Sequence, residues 1–362
     1  MTPAAYAVAA MGFIFTCGLS IFLTDWIRQQ ALEKGALDRP NERSMHVNPI
    51  PRLGGLAIAL SFYFGLFFYQ LMEEWFPALD FFINLPNYTV LLGSFIMLLT
   101  GVFDDLQGLN ARQKLILQSV AALVIILGGF QFRFATFIHF LTGWNLFWID
   151  YPITFLWILA VINSFNLIDG LDGLAAGTAV IVVSSITLAT ALNGFGADLV
   201  FVTCFIGPLI GFLLFNKPPA SIFMGDSGSL FLGFLLATFA LPVTDNVKFQ
   251  FSFLIPMLAL GLPLLDTTTS VVRRVSQSRH PFAADRDHIH HRVFSASGGR
   301  KGIAIRNLYT ISIIFGFFCV LISTIDDFRT LVFALGILFV VCLILIARLG
   351  YFGRRRDPRP KS

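Results

Sequence analysis

Long, predominantly apolar runs recur along the whole 362-residue chain, as at 91–102, 180–192 and 303–325, and they decide the solvent in which it folds. A hydrocarbon layer about 30 Å thick is crossed by a helix of roughly 20 apolar residues. Only 13% of the residues are charged and 56% are hydrophobic, whereas a soluble domain carries about 25% charged residues. This excludes an ordinary cytosolic enzyme and any disordered or collagen-like chain. The expected fold is all-α, a polytopic integral membrane helical bundle.

At about 30 residues per helix and loop, the chain accommodates eleven spans, expected at 4–27, 53–72, 88–103, 115–130, 152–165, 174–192, 199–215, 229–241, 249–272, 303–325 and 331–347. No Lys or Arg precedes the first run, so it lacks the basic leader of a cleaved signal peptide and is expected to stay as a span. Segment 131–150, with Arg133 and Trp144, is too mixed to cross and is expected at the interface. Cys17, Cys204, Cys319 and Cys342 lie singly in apolar runs, as packing residues do.

Under eleven spans, 22 of the 25 Lys and Arg residues fall on one side, in loops 28–52, 104–114, 216–228 and 273–306 and in the tail from Arg348. Only Arg133, Lys248 and Arg329 fall on the other. Cytosolic loops hold the excess of positive charge, which puts the N-terminus outside and the C-terminus in the cytosol. The outer acids, such as Glu73, Asp150 and Asp245, look scattered. The inner ones, Asp104, Asp105, Asp169, Asp172, Asp226 and Asp266, each stand at or just inside a helix end. Carboxylates there are costly unless paired, metal-bound or facing water, so several on one side suggest one shared polar site.

Four segments could build it. In FDDLQGL, 103–109, paired carboxylates can hold a divalent cation or supply a base, although a solvated helix end would also explain a lone Asp-Asp pair. In NSFNLIDGLDGLAAG, 163–177, Asn163, Asn166, Asp169 and Asp172 recur every third residue, roughly one side of a continuous helix. Small-residue packing accounts for the glycines there but not for the polar register. The GDSGS turn at 225–229 offers Asp226 to Mg²⁺ and backbone amides to phosphate, or is simply a helix cap. In HPFAADRDHIHHR, 280–292, four of the six histidines lie within twelve residues beside Arg286 and Arg292. The spacing differs from zinc-protease helices and no cysteine accompanies it, so phosphate recognition suits the basic loop better.

In combination, and in this order, these motifs resemble the polyprenyl-phosphate N-acetylhexosamine-1-phosphate transferases of glycosyltransferase family 4, from about residue 38 to 292. LDRPNERSMH, 37–46, and the HIHH segment look like the WecA/TagO branch. The MraY branch usually carries Thr-Pro-Thr-Met-Gly-Gly where this chain has Ile50-Pro-Arg-Leu-Gly-Gly55, and a longer His run. The resemblance implies transfer of N-acetylglucosamine 1-phosphate from UDP-N-acetylglucosamine to undecaprenyl phosphate, with Mg²⁺ (Mn²⁺ as the alternative ion) and release of UMP. The product is the lipid-linked first sugar of a cell-surface polysaccharide such as O-antigen. It implies Asp226, Asp104 and Asp105 as metal ligands and catalytic carboxylates, and Asn163, Asn166, Asp169 and Asp172 lining the nucleotide site. Asn216 and Phe223 would meet uracil. Arg286, His288, His290 and His291 would meet pyrophosphate or sugar, Arg112 and Lys114 the lipid phosphate, and Asp38 and His46 would complete the substrate site. The implied setting is the bacterial inner membrane, among membrane lipids and without nucleic acid, with the site facing the cytoplasm and a homodimer compatible with it. One catalytic domain, 1–348, is expected, with active-site loops 28–52, 104–114, 166–173, 216–228 and 273–302, followed by a basic cytosolic tail, 349–362.

The same reaction with another UDP-N-acetylhexosamine, or with UDP-MurNAc-pentapeptide, is the near alternative. From a different class, an ion-coupled transporter would need polar residues near mid-bilayer and usually inverted repeats, whereas these acids gather at inner helix ends and no repeat is evident. The orientation is testable with single cysteines. Glu74→Cys should react with an impermeant maleimide on intact cells and Arg355→Cys only after lysis; the reverse pattern would invert the topology.

Overall fold

Nine of the expected spans each coincide with a single helix, eight to within a few residues and the first with its helix running seven residues further, to Lys34. The computed structural model describes residues 3–35, 37–38, 49–76, 87–194, 198–245, 251–278 and 288–348. Its helices are α1 (Pro3–Lys34), α2 (Gly54–Trp75), α3 (Tyr88–Gln107), α4 (Ala111–Leu127), α5 (Ala135–Thr142), α6 (Asp150–Ile168), α7 (Leu174–Leu192), α8 (Leu199–Asn216), α9 (Gly225–Phe239), α10 (Leu241–Thr244), α11 (Leu254–Ala259), α12 (Gly261–Ser276), α13 (Ile289–Ala296), α14 (Lys301–Ser323) and α15 (Phe328–Arg348). Two short strands, β1 (Leu37–Asp38) and β2 (Ile50–Pro51), pair antiparallel, Leu37 opposite Pro51 and Asp38 opposite Ile50.

Among the described residues, nine helical segments are long and apolar enough to cross a membrane. α4, with 17 residues, is about 25 Å long at 1.5 Å per residue and falls outside that set. The expected eighth span is α9 running on into α10. The expected ninth is interrupted at Leu260, between α11 and α12. Segment 131–150 forms α5 and a 3-10 turn at Phe147–Ile149, with Trp144, Phe147 and Trp148 exposed.

Helix ends follow local chemistry. Asn110 and Gln113 form a reciprocal capping box at the start of α4, satisfying amides that a helix leaves free. Gly108, at φ 75°, ends α3 only three residues before α4 begins, so the two helices fold back as antiparallel neighbours. That hairpin returns Lys114 to the end of α3 carrying Asp104.

The most enclosed span is that of α9, packed among α2, α3 and α6. Glycines allow it. A Cβ on Gly55 of α2 would overlap the backbone of Ser227–Gly228, and one on Gly101 of α3 would overlap that of Asp226–Ser227. α15, by contrast, exposes Phe328, Phe333 and Phe339. The 19-residue α6 is about 28 Å long and separates two polar ends. At its start Arg133 Nε bonds Asp245 at 3.1 Å, and Asp150 accepts the amides of Phe134 and Ala135 at 2.9 and 2.7 Å. Asp150 and Asp245 are therefore organised, not scattered, Asp245 by a partner 112 residues distant in sequence and Asp150 by amides 15 and 16 residues before it.

Gly101→Ala should cost about 1–3 kcal/mol through overpacking and lower the thermal midpoint in detergent by several degrees. Gly18→Ala, whose Cβ meets nothing within 4 Å, should leave the midpoint unchanged.

Candidate active site

At the other end of α6 the last turn of α3, the first turn of α4 and the start of α9 converge. Asp104 Oδ1 accepts the Leu109 amide at 2.6 Å. The Lys114 ammonium pairs with Asp104 Oδ2 and, at 2.6 Å, with Asp226 Oδ2. Asn166 Nδ2 donates to Asp226 Oδ1 at 3.0 Å and to Ser229 Oγ at 2.9 Å. Asp226 is thus held from α4 and from α6 at once.

Asp105 has different contacts. Its Oδ1 accepts the Asp226 amide at 2.9 Å and its Oδ2 the Ser227 amide at 3.0 Å. A helix leaves its first amides unpaired and carries partial positive charge there, and this carboxylate from α3 answers both. Gly225 has φ 73°, and any Cβ on it would crowd the Asp105 carboxylate. Both oxygens are committed to the turn, which sets Asp105 apart from Asp104 and Asp226 as a candidate metal ligand.

The helical register expected for Asn163, Asn166, Asp169 and Asp172 breaks because α6 stops at Ile168 and Gly173, at φ 80°, opens α7. Asn163 faces α4, donating to Gln118 Oε1 at 2.8 Å. Asn166 faces the cluster. Asp169 caps α6; enclosure first, then the negative charges of Asp226, Asp105 and Asp172, push its carboxyl well above the ordinary range. Asp172 turns away and is buried against Lys301 Nζ at 2.9 Å and the Ala220 amide at 3.2 Å. Asn216 accepts the Gly173 amide and donates to Ile222 O, both at 2.8 Å, so its buried amide braces two loops. Tyr309 OH bonds Gly173 O at 2.6 Å.

Phe223 is half-buried, its amide bonded to Pro51 O at 2.8 Å and its carbonyl to the Gly54 amide at 3.0 Å. Beside it Arg52 Nη2 holds Asp38 at 2.5 Å. Arg112 is exposed on α4. His288 and His290 are buried and His291 is half-buried. The His288 and His290 rings stand near parallel at 5.5 Å, and a Cβ on Gly170 would lie 2.6 Å from His290 Nε2. His290 therefore adjoins the turn that carries Asp169. His46, Arg286 and the tail 349–362 lie outside the described residues.

The fold thus gathers Asp104, Asp105, Lys114, Asn166, Asp169 and Asp226, with His290 alongside, while Asp172 and Asn216 serve as braces. Lys301 and Tyr309, which complete those braces, belong to no motif. Asp266 announced itself only as a carboxylate in an apolar run.

Among the described residues no three His, Cys, Asp or Glu side chains converge to enclose a metal. Asp104 and Asp226 nevertheless share one ammonium and supply hard oxygens. Mg²⁺ is commonly held by one or two carboxylates, with substrate phosphates and water completing its shell, so this donor set fits such an ion.

The family model described as glycosyl transferase family 4 matches residues 87–244, a stretch that contains the carboxylate cluster but not the histidines. The chain is 33% identical over 336 residues to the "Probable undecaprenyl-phosphate N-acetylglucosaminyl 1-phosphate transferase" of Bacillus subtilis, covering 92% of this chain and 89% of that protein. It is 33% identical to the "Decaprenyl-phosphate N-acetylglucosaminephosphotransferase" of Mycolicibacterium smegmatis, covering 82% and 78%. It is 25% identical to the "Undecaprenyl-phosphate alpha-N-acetylglucosaminyl 1-phosphate transferase" of Escherichia coli, covering 78% and 75%.

Asp105→Asn should leave one amide of α9 facing an N–H donor and cost about 1–3 kcal/mol, read as a lower thermal midpoint together with lost activity. Arg112→Ala, at an exposed position on α4, should leave the midpoint where it was.

Proposed function

The chain belongs to glycosyl transferase family 4, and from that premise we propose that it moves N-acetylglucosamine 1-phosphate from UDP-N-acetylglucosamine to undecaprenyl phosphate. An oxygen of the acceptor phosphate bonds to the β-phosphorus of the donor, the bond from that phosphorus to the bridging oxygen breaks, and UMP leaves. The observation that carries this is the Asp104–Lys114–Asp226 cluster at one end of the helical bundle, with His290 beside it. A reaction joining a soluble nucleotide sugar to a membrane lipid needs its charged groups at such an end. The excess of Lys and Arg on that side supports a cytoplasmic face.

A phosphate monoester has a second pKa near 6 and arrives largely ionised at neutral pH. The obstacle is then repulsion between two anions more than removal of a proton. Asp226 and Asp104 would hold Mg²⁺, which offsets the pyrophosphate charge when bound. Lys114 Nζ, now between those carboxylates, is the cation placed to meet the acceptor phosphate. Asn166 keeps Asp226 in its orientation, and Asp105 keeps the start of α9 where the donor phosphates must approach. His288, His290 and His291 supply donors for the pyrophosphate or sugar, and the bracing of 172–173 against Lys301 and Tyr309 holds the adjoining turn still. The product would be the lipid-linked first sugar of a cell-surface polysaccharide.

Purified protein, undecaprenyl phosphate and a panel of labelled UDP-sugars test this directly. UDP-N-acetylglucosamine with Mg²⁺ should yield labelled lipid and UMP, and Asp226→Asn should lower turnover by about a hundredfold or more with an unchanged thermal midpoint. Consumption of UDP-MurNAc-pentapeptide alone would move the chain to the peptidoglycan branch, and near-normal turnover by Asp226→Asn would remove the metal assignment.

A further inference from the structure

Asp266 lies on the second turn of α12, 2% exposed. Taking an ionised carboxylate out of water costs several kcal/mol unless partners repay it. Its partners all come from the histidine segment. Oδ1 accepts the Ile289 amide at 2.5 Å, at the start of α13. Oδ2 lies 3.3 Å from His288 Nδ1 and 3.4 Å from His290 Nδ1. One turn further along α12, Ser270 Oγ lies 3.2 Å from the same His288 nitrogen.

A carboxylate can only accept here, so it places the proton on Nδ1 of a ring that bonds to it and turns Nε2 outward. For His290 the outward nitrogen is the atom beside Gly170, next to Asp169 and the cluster that holds Asp226. The His288 and His290 rings, 12° apart, share that one oxygen.

We propose that Asp266 is the positioning residue of the nucleotide-sugar site, fixing His288 and His290 through Nδ1 so that Nε2 of His290 points at the donor's pyrophosphate. The inference rests on the donor assignment above. A phosphate oxygen meeting a protonated Nε2 makes that ring a cation between two anions, with Asp266 as its fixed counter-charge. Asp266 itself touches neither substrate, and its influence passes through the rings and through the amide of Ile289.

The test is a mutant cycle on the full-length enzyme in detergent, reading kcat and the KM of UDP-N-acetylglucosamine and of undecaprenyl phosphate separately. Asp266→Asn should lower kcat/KM for the donor about tenfold to a hundredfold, with the acceptor KM unchanged. Asp266→Glu, which keeps the charge, should recover a large part of the loss. In a His288→Gln/His290→Gln background the added Asp266→Asn should change the rate by less than about threefold, because the rings it acts through are gone and Asn still offers an oxygen to the Ile289 amide. Should Asp266→Asn fail to fold, Ser270→Ala removes only the hydroxyl at His288. It should raise the donor KM a few fold, and that effect should vanish in the double-His background. Wild-type kinetics in Asp266→Asn, effects that multiply in the combined variant, or an equal rise in the acceptor KM would overturn the proposal. Unaltered protein that makes no labelled lipid from UDP-N-acetylglucosamine would instead overturn the donor assignment, and this proposal with it.

Discussion

The interaction on which the rest depends is the clasp of Asp105 on the amides of Asp226 and Ser227 in the first turn of α9. α9 is the enclosed post of the bundle, and its N-terminus stands at the polar end with its amides unpaired by the helix itself. A carboxylate from α3 supplies both acceptors and offsets the partial positive charge of the helix end. Once that turn is set, the backbone of α9 lies so close to Gly55 and Gly101 that neither position has room for a side chain. Asp226, one residue into the helix, then has a single direction in which to point.

Around that post Asp104, Asp105 and Asp226 each have a partner, yet the sum of the charges stays negative. Asp104 and Asp226 divide one ammonium between them, and Asp105 leans on a helix end. Asp169 is enclosed, and that enclosure, reinforced by the negative charges of Asp226, Asp105 and Asp172, raises its carboxyl. A cluster of this kind favours a cation from outside, which is the condition for bringing two phosphates together. The surrounding braces, Asp172 with Lys301 and Asn216 with Gly173 and Ile222, spend their polar atoms within the protein. They hold the loops still.

How much of this was visible along the chain follows from the range of each interaction. Spans are local properties, since twenty consecutive apolar residues must leave water together, and so α7 begins and ends where its apolar run does. The breaks at Leu260 and after Ile168 are less local, because whether a helix continues past a Gly or Pro depends on what stands beside it. The end of α6 moved Asp172 off the face that regular spacing assigned to it. Lys301 and Tyr309 carried no mark of their part, for nothing near them in the chain says that α14 packs on α7.

The amino-acid sequence by itself determined the solvent, the helical class, the side on which positive charge accumulates and the set of polar groups available at that side. Each follows from composition over windows of ten to thirty residues. The tertiary structure alone decided the partners. Lys114 meets Asp226 across 112 residues of chain, and Asp266 takes both His288 and His290. Asn216 turns inward to the backbone. Such choices depend on the sideways packing of helices, which small residues such as Gly55, Gly101 and Gly170 permit and which no window along the chain contains.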